Sequence, residues 1–387
     1  MMTLDAETVR DWLKENFSEG IKNSAIGSDQ RKEWTKRLAT IGWTAPHWPK
    51  EYGGGGLSFQ EHVVLLKEMQ KVGASIPDGG MGMGLIGPTL LEYGTEEQKL
   101  RHLPRIVRRE VRWCQGYSEP GAGSDLAGLS TRAVLDGDNY VINGQKIWTS
   151  GANHADWIFA LVRTNPDAPK HDGISLVLID MDQPGVTVKP IRLISGESPF
   201  CETFFDNAIA TKNDLIGKPN HGWAIGKRLL QHERSGLSGM GAEGATASKK
   251  GSQEYHLARL AKKYVGESTD GKIADPAFRN EVIQQRLNQL SLELTLNRVR
   301  EENASGKTLG EITSIFKLLG ASQGKKNTSL QVQLMGSNGT GWEGDGFTQA
   351  ELGATRSWLG SRAGSIAGGT NEVQLNIIAK RVLGLPD

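Results

Sequence analysis

Hydrophobic positions along this chain change their period twice. Up to about residue 112 they recur at helical intervals: Val9, Trp12, Leu13 and Phe17 form one stripe among charged neighbours, as on an amphipathic helix with a buried face. Ser58 followed by Glu61, and Thr95 followed by Gln98, have the form of a capping box and predict two helix starts, because the hydroxyl and the longer side chain can satisfy each other's free amides. Gly53 to Gly56, after Trp48-Pro49, predicts a loop ahead of the first start.

From about 113 to 222 the period becomes that of strands. Thr131 to Leu135, Tyr140 to Ile142, Gln145 to Thr149, Trp157 to Val162, Ile174 to Ile179 and Val186 to Ile191 are the predicted runs, with Asp136-Gly137 and Asn143-Gly144 read as hairpin turns. From about 223 the helical period returns, in Ile283, Leu287, Leu290 and Leu294 on one face, then in Ile312 to Leu334 and Glu372 to Leu383. Ser235 to Lys250, rich in Gly, Ala and Ser, reads as a loop or a loosely packed helix. The regions 1–112, 113–222 and 223–387 therefore predict an α+β protein: helical, then mostly antiparallel β, then helical again.

Length agrees with that division, since 387 residues exceed what one hydrophobic core organises. Lys plus Arg number 45 against 44 for Asp plus Glu, a balance that gives no electrostatic footprint for nucleic acid or an anionic membrane and favours a small-molecule partner. Cys114 and Cys201 stand without a CxxC or a His cluster, which argues against a disulfide scaffold or structural zinc and for a reducing compartment. Apolar runs such as Ile174 to Ile179 fall far short of the roughly 18 residues a membrane span requires, and the first helix lacks the apolar block of a signal peptide; the expectation is a cytoplasmic protein with no membrane insertion.

The densest chemistry lies at 112–130. Gly121 and Gly123 let main-chain amides approach a ligand, Ser118 and Ser124 offer donors, and Pro120 stiffens the turn. Lys146-Ile-Trp-Thr-Ser-Gly151 then supplies an aromatic plane followed by two hydroxyls. Together they suggest a flavin site. Other patterns carry less: Gly82-x-Gly84-x-x-Gly87 and Gly239-x-Gly241-x-x-Gly244 match a dinucleotide fingerprint but neither follows a strand, and His232-Glu233 lacks the second His of a zinc-protease helix.

Tyr117-Ser118-Glu119-Pro120-Gly121-Ala122-Gly123-Ser124-Asp125 resembles the first signature of the flavin-dependent acyl-CoA dehydrogenases, and Gly364 through Gly384, containing Ile366-Ala-Gly-Gly-Thr-Asn-Glu-Val-Gln, resembles the second. The likeness runs over essentially the whole chain. It implies an N-terminal helical domain, a middle antiparallel β-barrel or sandwich, a C-terminal four-helix bundle, and FAD as cofactor. By the same resemblance, Gln115, Tyr117, Ser118, Gly123 and Ser124 line the flavin from the β domain, Ser124 also meeting the CoA arm, while Trp148, Thr149 and Ser150 cover its other face. Gln333, Gly336 and Ser337 resemble the motif that meets the FAD of a neighbouring subunit, Arg279 its adenosine end, and Thr370 and Glu372 the helix start beside the flavin. Gly368-Gly369-Thr370 has a rationale of its own: a flexible loop with an N-cap turns free amides toward an electron-rich ligand.

The family reaction removes a proton α to a thioester and a hydride from the β carbon, giving a trans-2-enoyl-CoA, and needs a carboxylate base held in apolar surroundings. The family's commonest base position, just before the Gly-Thr pair of the second signature, is Gly368 here. Members acting on branched or longer chains carry the acid before an arginine on the first C-terminal helix, where this chain has Glu233-Arg234; Glu233 is the expected base, Glu372 the next candidate, and Arg234 a contact to the CoA or a support of the local fold. The Gly-Gly-Thr form resembles bacterial members that act on bulky, branched or steroid-linked acyl chains. The resemblance further implies electron-transfer flavoprotein as acceptor and a homotetramer, or a heterotetramer with a paralogous subunit. Two rivals remain: a catalytically incomplete subunit of a heteromeric dehydrogenase, and an oxygen-using acyl-CoA oxidase or monooxygenase of the same fold.

Overall fold

The computed structural model describes residues 4–25, 27–237, 255–304 and 312–386. They fall into two compact units, one drawn from residues 1–191 and 199–247, the other from 192–198 and 248–387.

The first unit opens with helices that the predicted signals account for. The stripe of Val9 and Leu13 lies on α1 (Ala6–Asn16) and is buried, with Trp12 edge-on to Trp43 and Phe17 tilted against Trp34. Both capping boxes form as expected: Ser58 opens α4 (Phe59–Val72) and Thr95 opens α6 (Glu96–Val107), between which comes α5 (Gly87–Tyr93); α2 (Glu19–Lys22) and α3 (Asp29–Thr40) complete the set up to that point. Gly82 to Ile86 forms a π-turn running straight into α5, so the first glycine fingerprint follows no strand.

The β region is one sheet in the order β6-β7-β3-β2-β4-β5-β8, with β1 (Trp113–Gly116) paired to β4. Its strands are β2 (Arg132–Asp136), β3 (Asn139–Ser150), β4 (Trp157–Arg163), β5 (Ile174–Asp180), β6 (Val186–Ile191), β7 (Phe200–Thr211) and β8 (Leu215–Ile216). Pairing is antiparallel except for β1 and β2 against β4. Asp136 closes the predicted hairpin between β2 and β3.

Asn143-Gly144 does not form the second hairpin turn. The two predicted runs on either side of it are one strand, β3, and the pair marks a register shift against β7. Gly144 sits at φ 149°, and a Cβ there would come within 2.9 Å of Thr131 on the neighbouring chain segment, so the glycine serves close backbone approach at a bulge.

β4 and β5 are buried on both faces, which is why both read as unbroken apolar runs. Ile158, Ala160, Val162, Val177 and Ile179 enter a core with Cys114, Ile142 and Phe205, while Phe159, Leu161, Leu176 and Leu178 enter a second core shared with the helices. Into that second core α7 (Gly222–Leu237) inserts Ile225 and Leu229. Each such side chain contributes about 2 kcal/mol of transfer free energy, so the sheet and this helix are strongly joined.

The second unit is helical, with α8 (His256–Tyr264), α9 (Pro276–Ala304), α10 (Thr313–Met335), α11 (Gln349–Gly360) and α12 (Asn371–Ile377). Leu257, Ala261, Ile273, Val282, Leu330 and Leu334 form its core. The segment 192–198 is held in this unit by Arg356, whose guanidinium lies 4.0 Å over the Trp342 ring and donates to the Ser195 and Trp342 carbonyls. The predicted apolar face of α9 is present but faces outward: Ile283, Leu287, Leu290 and Leu294 are 49%, 52%, 38% and 61% exposed. Mixed helical and sheet content is thus the architecture expected. Of the segment 235–250, the helix accounts for residues to 237 and the remainder lies outside the described residues, as do the glycines of the second fingerprint.

Candidate functional site

In the first unit the signature turn is built around a buried ion pair. The Glu119 carboxylate accepts from the Ser130 amide at 2.6 Å, the Ser130 hydroxyl at 2.8 Å, the Thr131 amide at 2.9 Å and the Lys146 ammonium at 2.8 Å. Lys146 is wholly buried and also donates to the Tyr117 carbonyl at 3.2 Å. Burial opposes the charge on Glu119, but Lys146 and the donors around it outweigh that and hold its carboxyl well below the usual range; burial pushes Lys146 down while Glu119 pulls it back up. One carboxylate therefore closes the loop from Glu119 to Thr131 and ties both ends to β3. The Ile147 amide adds a bond to the Ser118 carbonyl at 2.9 Å.

Two consequences are visible on the outer side of that loop. Gly121 and Gly123 are exposed, and a Cβ at either would meet nothing within 4 Å, so no packing inside the chain requires glycine there. Ser118 is half-buried and Ser124 exposed beside them. Trp148, two residues after the buried lysine, sits at φ 60° in a second register shift between β3 and β7, 52% exposed and edge-on to Phe200. A bulky residue in left-handed backbone costs about 1–3 kcal/mol, a strain retained where function requires it. Next to it, Thr149 is fully buried with its Oγ1 unpartnered, and the Gln115 amide nitrogen on β1 is also buried and unpartnered; Ser150 is half-buried. Leaving such atoms bare costs about 1–3 kcal/mol each.

Tyr117 reaches α7, donating to the Gly226 carbonyl at 3.4 Å. Position 233 follows Leu229 by one turn on this helix; the side chains of Glu233 and Arg234 lie outside the described residues.

In the second unit, Gly368 and Gly369 adopt φ 65° and 89°. The Gln374 amide donates to the Gly368 carbonyl at 3.2 Å, the Lys317 ammonium donates to the Gly369 carbonyl, and the Thr370 hydroxyl caps α12 by accepting from the Val373 amide. Glu372 is exposed in the first turn of that helix. Gln333, Gly336 and Ser337 lie exposed at the end of α10, where Gly336 takes φ 56°, and Arg279 is half-buried on the first turn of α9. Each unit thus gathers its own share of the expected residues.

Sequence reasoning passed over a cavity of about 490 Å3 in the first unit, lined by His171, Asp172, Pro219, Asn220, His221 and Trp223 with Ala224. The His171 and Trp223 rings lie 4.8 Å apart there, and Asn220 is at φ 64°. A polar Asn-His pair running into Gly-Trp at a helix start was the available signal. Among the described residues no group of His, Cys, Asp or Glu could hold a metal, and no helix is long and apolar enough to cross a membrane.

Helices and a β sheet, a turn of small residues over a buried ion pair and a strained, exposed Trp148 make a candidate site for a flat cofactor such as a flavin. Sequence profiles agree along the chain: acyl-CoA dehydrogenase N-terminal domain at residues 4–110, middle domain at 114–208 and C-terminal domain at 220–383. The chain belongs to the acyl-CoA dehydrogenase family. It is 37% identical to acyl-CoA dehydrogenase IpdE1 of Mycobacterium tuberculosis, over 98% of this chain and 96% of that one. Among solved structures it resembles the Tcur3481-Tcur3483 steroid ACAD (TM-score 0.74, 31% identity, 98% and 96% of the two chains). It also resembles the ChsE4-ChsE5 complex of Mycobacterium tuberculosis (TM-score 0.72, 27% identity, 99% and 97% covered). The enzyme is accordingly an FAD-dependent oxidoreductase acting on acyl-CoA. The residues of the first unit fit that cofactor, since the open edge at Gly121 and Gly123, the exposed Ser124 and the exposed Trp148 ring leave room and donors for a flat, polar-edged ring.

Proposed function

We propose that this enzyme converts a bulky, steroid-linked acyl-CoA to its trans-2-enoyl-CoA, with Glu233 as the base. The observation that carries the reading is the backbone at Gly368: left-handed, pinned by Gln374 at its carbonyl and lacking any side chain, the usual family position offers no acid, so the proton must go elsewhere. Glu233 takes the α-proton onto its carboxylate, and Arg234 next to it meets the CoA portion. FAD, when bound, supplies the two-electron oxidant that accepts the β-hydrogen with its electron pair. Thr149, Ser150 and Trp148 would hold the ring on one side, and Ser118 and Ser124 with the amides at Gly121 and Gly123 would hold its polar edge and the phosphates. Arg279, Gln333, Gly336 and Ser337 would hold the FAD of a neighbouring subunit, and Thr370 and Glu372 would serve the flavin as in the family's second signature. The cavity beside Trp223, with its paired rings, is suited to the nucleotide end of CoA. Electrons leave to electron-transfer flavoprotein.

The exposed Ile283, Leu287, Leu290 and Leu294 stripe supports oligomerisation, and the Tcur3481-Tcur3483 steroid ACAD and the ChsE4-ChsE5 complex among the structural relatives favour a heterotetramer with a paralogous subunit. Those relatives also sustain a second reading, in which this chain is the catalytically incomplete partner. Anaerobic titration with a panel of acyl-CoAs separates the two. The base reading expects flavin bleaching by wild-type enzyme and its loss, with FAD retained, in Glu233→Gln; bleaching of that variant at the wild-type rate removes Glu233, and a wild-type flavin that no acyl-CoA bleaches favours the incomplete subunit.

A further inference from the structure

The carboxylate of Glu92, in the last turn of α5, receives the Arg228 guanidinium through Nε at 2.9 Å and Nη2 at 2.7 Å, and lies 3.2 Å from Nε2 of His232. Arg228 holds Gln231 as well, its Nη1 donating to the amide oxygen at 3.1 Å. Arg228 and His232 are four residues apart, hence on one face of α7, and that face is turned to α5. The opposite need is met by Ile225 and Leu229, which fix the first half of the helix in the apolar core. Beyond Leu230, the described side-chain contact from this helix to α5 is the polar one at Glu92.

His232 directly precedes the Glu233-Arg234 pair. A helix anchored by apolar packing at one end can still roll or fray at the other, and the two-point Arg228–Glu92 pair, with His232 beside it, restricts that freedom. Arg228 holds the Glu92 carboxyl below its usual range, while burial lowers His232 and Glu92 only partly counteracts it.

We propose that Glu92 is a positioning residue: through its two hydrogen bonds from Arg228, with His232 seated against it, it fixes the rotation of α7 at positions 233 and 234, and so the placement of the base and its arginine neighbour. This rests on the reading of Glu233 given above. Glu92 touches no reacting atom, so its removal is felt in the rate of proton removal more than in substrate affinity.

The test uses FAD-loaded enzyme and anaerobic mixing with an acyl-CoA that bleaches the wild-type flavin. Glu92→Gln is expected to keep its FAD and its unfolding temperature, to slow limiting flavin reduction about 10- to 100-fold as misplaced groups do, and to change the acyl-CoA dissociation constant about twofold or less. The exchanged pair, Glu92→Arg with Arg228→Glu, is expected to recover most of the rate, which a merely structural loss would not allow. Amides of residues 230–237 should exchange with solvent faster in Glu92→Gln and return toward wild type in the exchanged pair. Reduction of Glu92→Gln at the wild-type rate, or no recovery in the exchanged pair, overturns the proposal. Should Glu92→Gln lose its FAD, Arg228→Gln is judged by the same criteria. Glu233→Gln run beside them isolates the other failure: if it bleaches normally the base assignment falls, and the clamp is then decided by amide exchange alone.

Discussion

Lys146 and Glu119 meet at 2.8 Å with both side chains shut away from water, and the loop expected to hold the cofactor spans the space between them. A buried ion pair is a poor source of net stability, but removing one partner strands the other. Its position explains the trade: the four bonds at Glu119 set the shape of the turn from which Gly121, Gly123 and Ser124 project.

Glu119→Gln or Lys146→Met is therefore expected to destabilise the protein by about 3–5 kcal/mol and to release FAD, read as a lowered unfolding temperature and loss of the flavin absorbance on gel filtration. Retention of both at wild-type levels would disprove the coupling.

The same pair gives a pH dependence with a definite sign. The Glu119 carboxyl is held at about 2 in the folded protein against 4.5 ordinarily, so the stability it contributes is complete above 4.5 and fades as pH falls toward 2. Denaturant melts should show this acid loss in the wild type and a shallower one in Glu119→Gln.

Trp148 holds a strained backbone for an exposed ring. Trp148→Gly should relieve about 1 kcal/mol of strain in the cofactor-free protein while weakening FAD binding, so that apoprotein melting stays level or rises and the FAD dissociation constant increases. An unchanged FAD affinity would contradict the placement of the ring over the flavin.

Restoring an acid at the family's usual position should fail here. Gly368→Glu would force a side chain into left-handed backbone, costing about 1–2 kcal/mol, and in a Glu233→Gln background it should not bring back flavin reduction. Recovery of rate in the double variant would show that the loop is more adaptable than its hydrogen bonds suggest.

Charging the outward stripe of α9, as in Leu287→Lys with Leu294→Lys, should reduce the assembly to smaller species in analytical ultracentrifugation without unfolding the chain, because both positions are solvent-facing within the subunit. An unaltered sedimentation coefficient would place the interface elsewhere.

Local signals were read directly from the chain. The two capping boxes, the α1 stripe and the runs of β4 and β5 are short-range patterns whose physics acts within a few residues or a single face, and they form as expected. Asn143-Gly144 misled because a turn and a bulge ask for the same small residue; only the approach of Thr131 from another segment distinguishes them. The α9 stripe has the period of a core helix, yet among the described residues it stays largely exposed.

The candidate site divides in the same way. Small residues, hydroxyls and the Gly at 368 were evident in sequence because they are chemical identities. The burial of Lys146, the left-handed turn at Trp148, the unmet Thr149 hydroxyl and the Glu92 clamp on α7 were not, since each joins residues brought together only by packing, from 27 positions apart for Lys146 and Glu119 to 136 for Arg228 and Glu92. Sequence by itself settled which groups and which local elements exist; tertiary structure decided which of them lose water and which backbone is strained, because desolvation and long-range contact depend on neighbours that no local pattern encodes.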